Sequence, residues 1–383
     1  MDLSLSAEQL AYQDAVREFV DREIVPNATA WDRAESVDLA IIPKLGQMGL
    51  LGLTIPEEHG GSGGDTLTYC LGLEELGRGD SSVRGIVSVS LGLVTKSIVG
   101  YGTPEQIAQW VPRLCAGEIV GSFALTESGS GSDPASLRIR ATRDGEGWRV
   151  SGTKMFITNG TWASVVLLFA RTGGEGSRGI SAFLVPTDVE GLTRSTIHGK
   201  LGLRGQATAE LVFDDVYLPD EWRLGEEGRG LSIAMAALAK GRMSVAAGCV
   251  GLARGAFEHA LRYAGEREQF GKPIAGHQLV QEMLSDMAVE VDAARLLTWR
   301  VADLIDRGQP FATESSMAKL FASEVAVRAA GTALQVFGGY GFIDEYPVGK
   351  LTRDARVMTL YEGTSQIQKL VIGRALTGIN AFG

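Results

Sequence analysis

The spacing of apolar residues changes period twice along this chain, and that double change constrains the fold more than any other feature. From residue 7 to about 118 apolar residues return at helical spacing, as at Leu10, Val16, Phe19 and Val20. The turn segment IPEEHGGSGGD (55–65) interrupts this run, and LEELGRGDSSVRGIVSVSLGLVTKSI resumes it. From about 120 to 225 the pattern becomes short β-rich runs, WRVSGTKMFITNG, SVVLLFAR, ISAFLVP and AELVFDDVYLP, separated by Gly, Asn and Asp. From Gly230 the helical period returns in GLSIAMAALAKGRMSVAAGCVGLARGAFEHALRYA. Small residues at that density suit helices packed closely in a bundle. A chain of 383 residues also exceeds what one core usually serves. The expectation is an α+β multidomain protein, with an all-α domain over 1–118, a β domain over 119–228 and an all-α domain over 229–383.

Composition narrows the function classes. Lys+Arg 36 against Asp+Glu 46 leaves a net charge of −10, with no long basic run, so nucleic acid is not expected as the main partner. Cys70, Cys115 and Cys249 form no CxxC pair, and His59, His198, His259 and His277 show no HxxxH or HExxH spacing. Neither a disulfide framework nor a metal site is expected. The N-terminus lacks a basic start followed by an apolar core, so no signal peptide is expected; Ser6 and Gln9 match a helix capping box instead. No run of about 18 apolar residues is read as a membrane span, and the cytoplasm is the expected address. The 50 glycines exceed the roughly 27 that average usage would give, and must serve turns, close helix contacts or ligand loops. One literal GxGxxG, Gly174 to Gly179, precedes the strand-like ISAFLVP rather than a helix, so it reads as a loop between strands and not as a dinucleotide fingerprint.

Four segments carry residues suited to chemistry. FALTESGSGSD (123–133) offers hydroxyl donors and glycines that let main chain lie flat against a ligand, although a plain Gly/Ser turn has the same composition. KMFITNG (154–160) places an aromatic and a threonine where they could cover a planar ring and donate to its edge, although Phe and Ile are common core residues. EREQFGKPIAGHQ (266–278) sets Arg267 beside a Gly-Lys-Pro turn, a pattern suited to phosphate or to a solvated turn. QVFGGYGFIDEYP (335–347) leads into RDARVMTLYEGTSQIQ (353–368), where Glu362 follows the apolar-rich Val357 to Leu360. A carboxylate there is expected to be partly desolvated, which raises its pKa and makes it a stronger base, although most glutamates are simply surface residues and this segment alone does not decide the matter.

Taken together, LTESGSGSD, FITNG, LGLRGQATAELVFDDVYLP, REQFGKPIAGHQ, QVFGGYGF and YEGTSQIQ, in this order, resemble the acyl-CoA dehydrogenase flavoproteins over essentially the whole length. The resemblance implies a helical domain, a β-barrel or sandwich domain and a C-terminal four-helix bundle that assembles a homotetramer, or a dimer. It implies FAD held between the middle and C-terminal domains with help from a neighbouring subunit. Phe123, Leu125, Thr126, Gly131 and Ser132 match the loop facing the flavin ring; Phe156 and Thr158 match the stacking and ring-edge positions, with Phe156 where many relatives have tryptophan. Arg267, Gln269, Phe270, His277, Gln278, Gln335, Gly338 and Gly339 match contacts to the partner's dinucleotide, and Thr364 and Gln366 match further flavin contacts.

By the same resemblance Glu362 is the catalytic base of an acyl-thioester α,β-dehydrogenation, taking the α-proton while a β-hydride passes to the flavin. Some relatives carry that base just before the arginine that is Arg242 here; this chain has Gly241 there. Ser132, Arg242, Tyr361 and Gly363 match substrate positions, but Ala239 replaces an aspartate that helps hold pantetheine in many relatives. An acyl-carrier-protein thioester therefore stays open beside acyl-CoA, as does a flavin oxidase on the same fold. Arg84 aligns with an arginine that grips a distal carboxylate in glutaryl-CoA dehydrogenases; it binds a short acidic acyl tail, or pairs with Glu74 or Glu75. The resemblance also implies an electron-transfer flavoprotein as electron acceptor, and a place in fatty-acid or branched-chain acid metabolism.

Overall fold

Helix α1 (Ala7–Phe19) starts on the expected capping box, with the Ser6 hydroxyl accepting from Gln9 N and the Gln9 side chain reaching back to Ser6 N. The structure, a computed structural model, describes residues 4–381; the first three residues of the N-terminal segment read above, and the last two of the chain, lie outside it. A π-helical turn (Val20–Ile24) continues α1 and is followed by α2 (Ala28–Ala34) and α3 (Ile41–Gln47). Asp65 caps α4 (Thr66–Gly79), and Asp80 ends α4 while capping α5 (Ser81–Val89), so two helices turn on one aspartate. A second π-helical turn (Ser90–Thr95) joins α5 to α6 (Lys96–Tyr101), and α7 (Pro104–Cys115) closes this helical part with a capping box of its own.

The middle part is one eight-stranded sheet, to which the expected barrel or sandwich reduces. Its strands are β1 (Gly121–Ala124), β2 (Arg140–Asp144), β3 (Gly147–Thr158), β4 (Val165–Arg171), β5 (Ile180–Pro186), β6 (Leu192–Thr196), β7 (Thr208–Pro219) and β8 (Arg223–Leu224). The order is β6-β7-β3-β2-β4-β5-β8, with β1 parallel on β4. β2 and β4 meet through a single pair, Arg140 with Arg171, so the ladder between the two halves of the sheet is short there. β4 and β5 are buried almost throughout, which explains their unbroken apolar runs, whereas β7 alternates for most of its length. The GxGxxG segment is the loop between β4 and β5, as its context predicted.

Beyond Gly230 the chain is helical again. The long helices are α8 (Gly230–Glu266), α9 (Gln278–Asp306) and α10 (Ala312–Phe337), followed by α11 (Val348–Met358) and α12 (Ser365–Thr377). Between α8 and α9 lies a two-residue hairpin of β9 (Glu268–Gln269) and β10 (Lys272–Pro273). Helix α8 is central because glycine lets it touch its neighbours. A Cβ at Gly251 would overlap the Glu74 backbone of α4, and one at Gly248 would come 2.7 Å from the Arg84 side chain of α5. Filling such contacts costs about 1–3 kcal/mol each.

Two helical stretches correct the expectation that nothing is long and apolar enough to span a membrane. Residues 81–101 and Gly230–Glu266 both meet that measure by length and composition. Their most apolar windows are 83% and 67% buried inside the protein, so the chain's own core takes up that surface.

A buried charge cluster ties the three parts together. The Lys350 ammonium on α11 donates to Asp80 at 2.7 Å and to Asp354 at 2.6 Å, while Asp354 also accepts from Leu203 N, in the segment between β6 and β7, at 2.6 Å. Burial works against the charge on Lys350, but the two carboxylates more than offset it and keep the ammonium protonated.

Candidate active site

Glu362 sits in the short loop between α11 and α12, in an unusual backbone. Its φ is 51°, and that of Gly363 is 94°, so two consecutive residues occupy the left-handed region. For a non-glycine residue this costs about 1–2 kcal/mol, and the surroundings must hold it. They do so from beneath. The Gln368 amide donates to the carbonyls of both Glu362 and Gly363 at 3.0 Å, and Lys319 on α10 donates its ammonium to Gly363 O at 2.8 Å. Ser365 N donates to Thr359 O at 3.0 Å, and the Thr364 hydroxyl caps α12 by accepting from Ile367 N at 3.2 Å.

The carboxyl end of Glu362 points at α8. Its Oε2 is buried and has no hydrogen-bond partner among the described residues. A Cβ at Gly241 would overlap that oxygen, so the carboxyl fits only because α8 carries glycine there. Burial pushes the Glu362 carboxyl up to about 7, against the opposing pull of the Arg84, Lys319 and Arg242 cations. A carboxylate with a near-neutral pKa, aimed into an apolar space beside Leu93, is suited to take a proton from a weak carbon acid. No hydrogen bond among the described residues uses the Glu362 N–H, so a donor is available beside the base.

Arg84 resolves the choice left open by the sequence. It is 1% exposed and does not pair with Glu74 or Glu75. Glu74 accepts from Arg295 at 3.1 Å and from Trp299 at 3.0 Å; Glu75 is bound by Arg17, Arg78 and Arg254. The Arg84 guanidinium instead donates to Ser88 Oγ at 3.0 Å and to the Tyr361 hydroxyl at 2.5 Å, and its Nε is buried with no partner. A guanidinium with neutral partners and one idle N–H is a receptor for a further acceptor. Tyr361 links Arg84 directly to Glu362.

The loop after β1 and the end of β3 form a second surface. Lys154, fully buried, donates to Leu125 O and to Glu127 Oε1, both at 2.8 Å, and Glu127 accepts from Arg138 N and Ile139 N. That pair anchors residues 123–132 against β3. The Leu125 side chain is itself buried, so only its main chain is available to a ligand. Gly129 and Gly131 border open space, and Ser132 is exposed. Phe156 is 62% exposed at φ 59°, an apolar ring turned outward at the end of a strand, two residues before Thr158. These observations fit a planar ring lying on Phe156 with its edge at Thr158 and its face along the Gly/Ser loop.

The third surface is a groove of about 440 Å³ lined by Tyr263, Arg267, Gln269, Phe337, Gly338 and Gly339, among others. Arg267 lies over the Tyr340 ring at 5.7 Å. Phe270 heads the hairpin at φ 52° and is 94% exposed; its ring meets His277 edge-on at 5.8 Å. Gln278, Gln335 and Gln366 are exposed. A cation, exposed aromatics and bare glycine backbone fit the phosphate and adenosine end of a dinucleotide. Gly341, by contrast, is a packing glycine: a Cβ there would come 2.7 Å from Leu334 O. Arg242 donates to Ser316 Oγ at 3.3 Å and keeps a buried, unpartnered Nε.

Sequence reading missed Lys319, Gln368, the Lys154–Glu127 pair and Gln206. The two lysines each stand in an apolar run, MAKLFA and GTKMFI, which is a detectable sign of a buried charge with a task. Gln206 and Gln368 carry no such sign.

Three comparisons bear on this geometry. The N-terminal, middle and C-terminal domain models of acyl-CoA dehydrogenase match residues 6–118, 122–216 and 228–377. An acyl-CoA dehydrogenase of Bacillus subtilis (strain 168) is 43% identical over 98% of this chain and 100% of its own. The mitochondrial short-chain specific acyl-CoA dehydrogenase of Bos taurus is 43% identical over 93% of this chain and 87% of its own. The solved glutaryl-CoA dehydrogenase of Mycobacterium smegmatis superposes with a TM-score of 0.95 at 40% identity, covering 99% of this chain and 97% of its own.

Proposed function

The chain belongs to the acyl-CoA dehydrogenase family, and from that premise we propose which residues carry the reaction and what kind of acyl group it takes. It is an FAD-dependent oxidoreductase that converts an acyl-CoA to the 2-enoyl-CoA. FAD, when bound, supplies the acceptor for the β-hydride. The carrier-protein and oxidase alternatives are not favoured by these relatives.

Glu362 is the base. Its desolvated carboxylate removes the α-proton, and Gly241 provides the room for it. The idle Glu362 N–H lies where a thioester oxygen can accept, which would stabilise the developing enolate. Lys319 and Gln368 hold the loop's carbonyls and so keep both groups in place. Leu93 and Gly241 border the Glu362 carboxyl and Phe123 packs on the Leu93 cluster, which suits them to wall the acyl space; Arg242 and Ser132 are assigned to the pantetheine arm on the family resemblance. Phe156, Thr158, Thr126, Thr364 and residues 129–132 seat the flavin ring, while the Arg267 groove takes the dinucleotide of a neighbouring subunit in a homotetramer.

The single observation that carries the substrate reading is the buried Arg84, with no carboxylate partner and an idle Nε. The acyl tail is short and ends in a carboxylate or another strong acceptor. An electron-transfer flavoprotein as acceptor and a role in acid breakdown, both supported by the family resemblance, complete the proposal, with the cytoplasm as the proposed address.

A panel of straight, branched and dicarboxylic short acyl-CoA substrates tests this by bleaching of the bound flavin. Glu362→Gln is expected to keep its flavin and lose turnover, and full activity would sink the base assignment. Arg84→Ala is expected to lose dicarboxylic substrates selectively. Turnover of butyryl-CoA alone, untouched by Arg84→Ala, would remove the acidic-tail reading.

A further inference from the structure

Gln206, in the segment between β6 and β7, is where the flavin-facing strand end meets the helix of Arg84. It is 3% exposed. Its main chain is fixed on both sides: Gln206 N donates to Leu203 O at 3.1 Å, and Gln206 O accepts from the Lys200 ammonium. Its side-chain Nε2 donates to Thr158 Oγ1 at 2.7 Å. Its Oε1 is buried without a partner, turned toward Gly85 of α5.

A hydroxyl has one proton and two acceptor sites. Gln206 occupies an acceptor site of Thr158 and takes nothing back, so the threonine proton is not used in that bond. No hydrogen bond among the described residues uses that proton. We infer that Gln206 is a positioning residue which orients the Thr158 hydroxyl so that its proton is presented to the ligand face beside Phe156. The inference rests on the reading of that face as the flavin seat. A carboxylate at 206 would reverse the arrangement, because it accepts the proton instead of leaving it free.

Gly85 completes the device. A Cβ at Gly85 would come 2.6 Å from Gln206 Oε1, so the amide holds its direction only while that position is bare. Gly85 follows Arg84 in the chain. One amide therefore joins the helix that receives the acyl tail to the hydroxyl at the flavin edge.

The test is a double-mutant cycle on FAD binding and on the visible spectrum of bound flavin, not on turnover alone. FAD is titrated into apoprotein of the wild type, Thr158→Val, Gln206→Glu and the double variant. Gln206→Glu and Thr158→Val are each expected to weaken FAD by about 2- to 10-fold, the span of one hydrogen bond, and to shift the flavin band in the same direction. The double variant is expected to match Thr158→Val, because Gln206 has nothing left to orient. Gln206→Met keeps the volume without a buried charge, and Gly85→Ala favours the helix; both are expected to reproduce the shift and to lose it in the Thr158→Val background. They also replace Gln206→Glu in the cycle if that variant does not fold. Independent, additive effects in protein that binds FAD would overturn the inference alone. Wild-type protein that takes up no FAD would overturn the reading beneath it as well.

Discussion

Replacing Gly241 with alanine separates what the helix wants from what the site needs. In the interior of α8, alanine is the better residue by about 1 kcal/mol, since it restricts the unfolded chain and favours the helix. A methyl group at 241 nevertheless overlaps Glu362 Oε2 and comes 2.9 Å from Leu93 Cδ2. Ordinary contact begins at 3.4 Å. The Leu93 side chain can rotate, but the carboxylate hangs from a loop pinned by Lys319 and Gln368 and must swing away by about 1 Å, a misplacement of the kind that costs about 100-fold in rate. The expected protein therefore melts no lower than wild type, holds its flavin, and reduces it about 100-fold more slowly when mixed with substrate. The assay is stopped-flow bleaching at saturating acyl-CoA, with a thermal melt on the same sample. A flavin reduction rate within about twofold of wild type would refute the claim that the carboxylate has no room to spare.

Two further predictions concern charge. Glu362 must be ionised to act as base, so flavin reduction is expected to rise with pH through about 7 and then level off; a limb near the ordinary carboxylate value of 4.5 would show that burial does not govern this group. Lys319→Met removes a cation that holds the Glu362 carboxyl down, so that limb is expected to move to higher pH while plateau activity falls, because Gly363 O loses its donor. An unmoved limb in a variant of unchanged melting temperature would contradict it.

Much of the fold was legible because its causes are local. The change from helical to alternating spacing marked the β part, and Ser6 with Gln9 marked the first helix start. The two π-helical turns, at Val20–Ile24 and Ser90–Thr95, left no local sign, because they answer to packing. At the site, the apolar run before Glu362 hinted at desolvation but only the family resemblance singled it out, while the density of small residues in α8 signalled the close packing that Gly248 and Gly251 serve. What hid from the sequence was partnership at a distance. Nothing near Arg84 says that Glu74 and Glu75 are already taken by Arg295, Trp299, Arg17, Arg78 and Arg254, residues of α1, α4, α8 and α9. Nothing near Gln206 says that it lies on Thr158.

The Lys350 cluster has a consequence for how this protein can be cut or recombined. Family models divide the chain into three stretches, yet Asp80, Leu203 and Lys350 with Asp354 bring one corner of a single buried charge group from each. An isolated stretch would therefore carry an unmatched charge or an unmatched donor into whatever core it could form. Exchanging one stretch for that of a distant relative succeeds only if the newcomer brings the same corner. The borders that are convenient for recognising the sequence are not borders along which the protein comes apart.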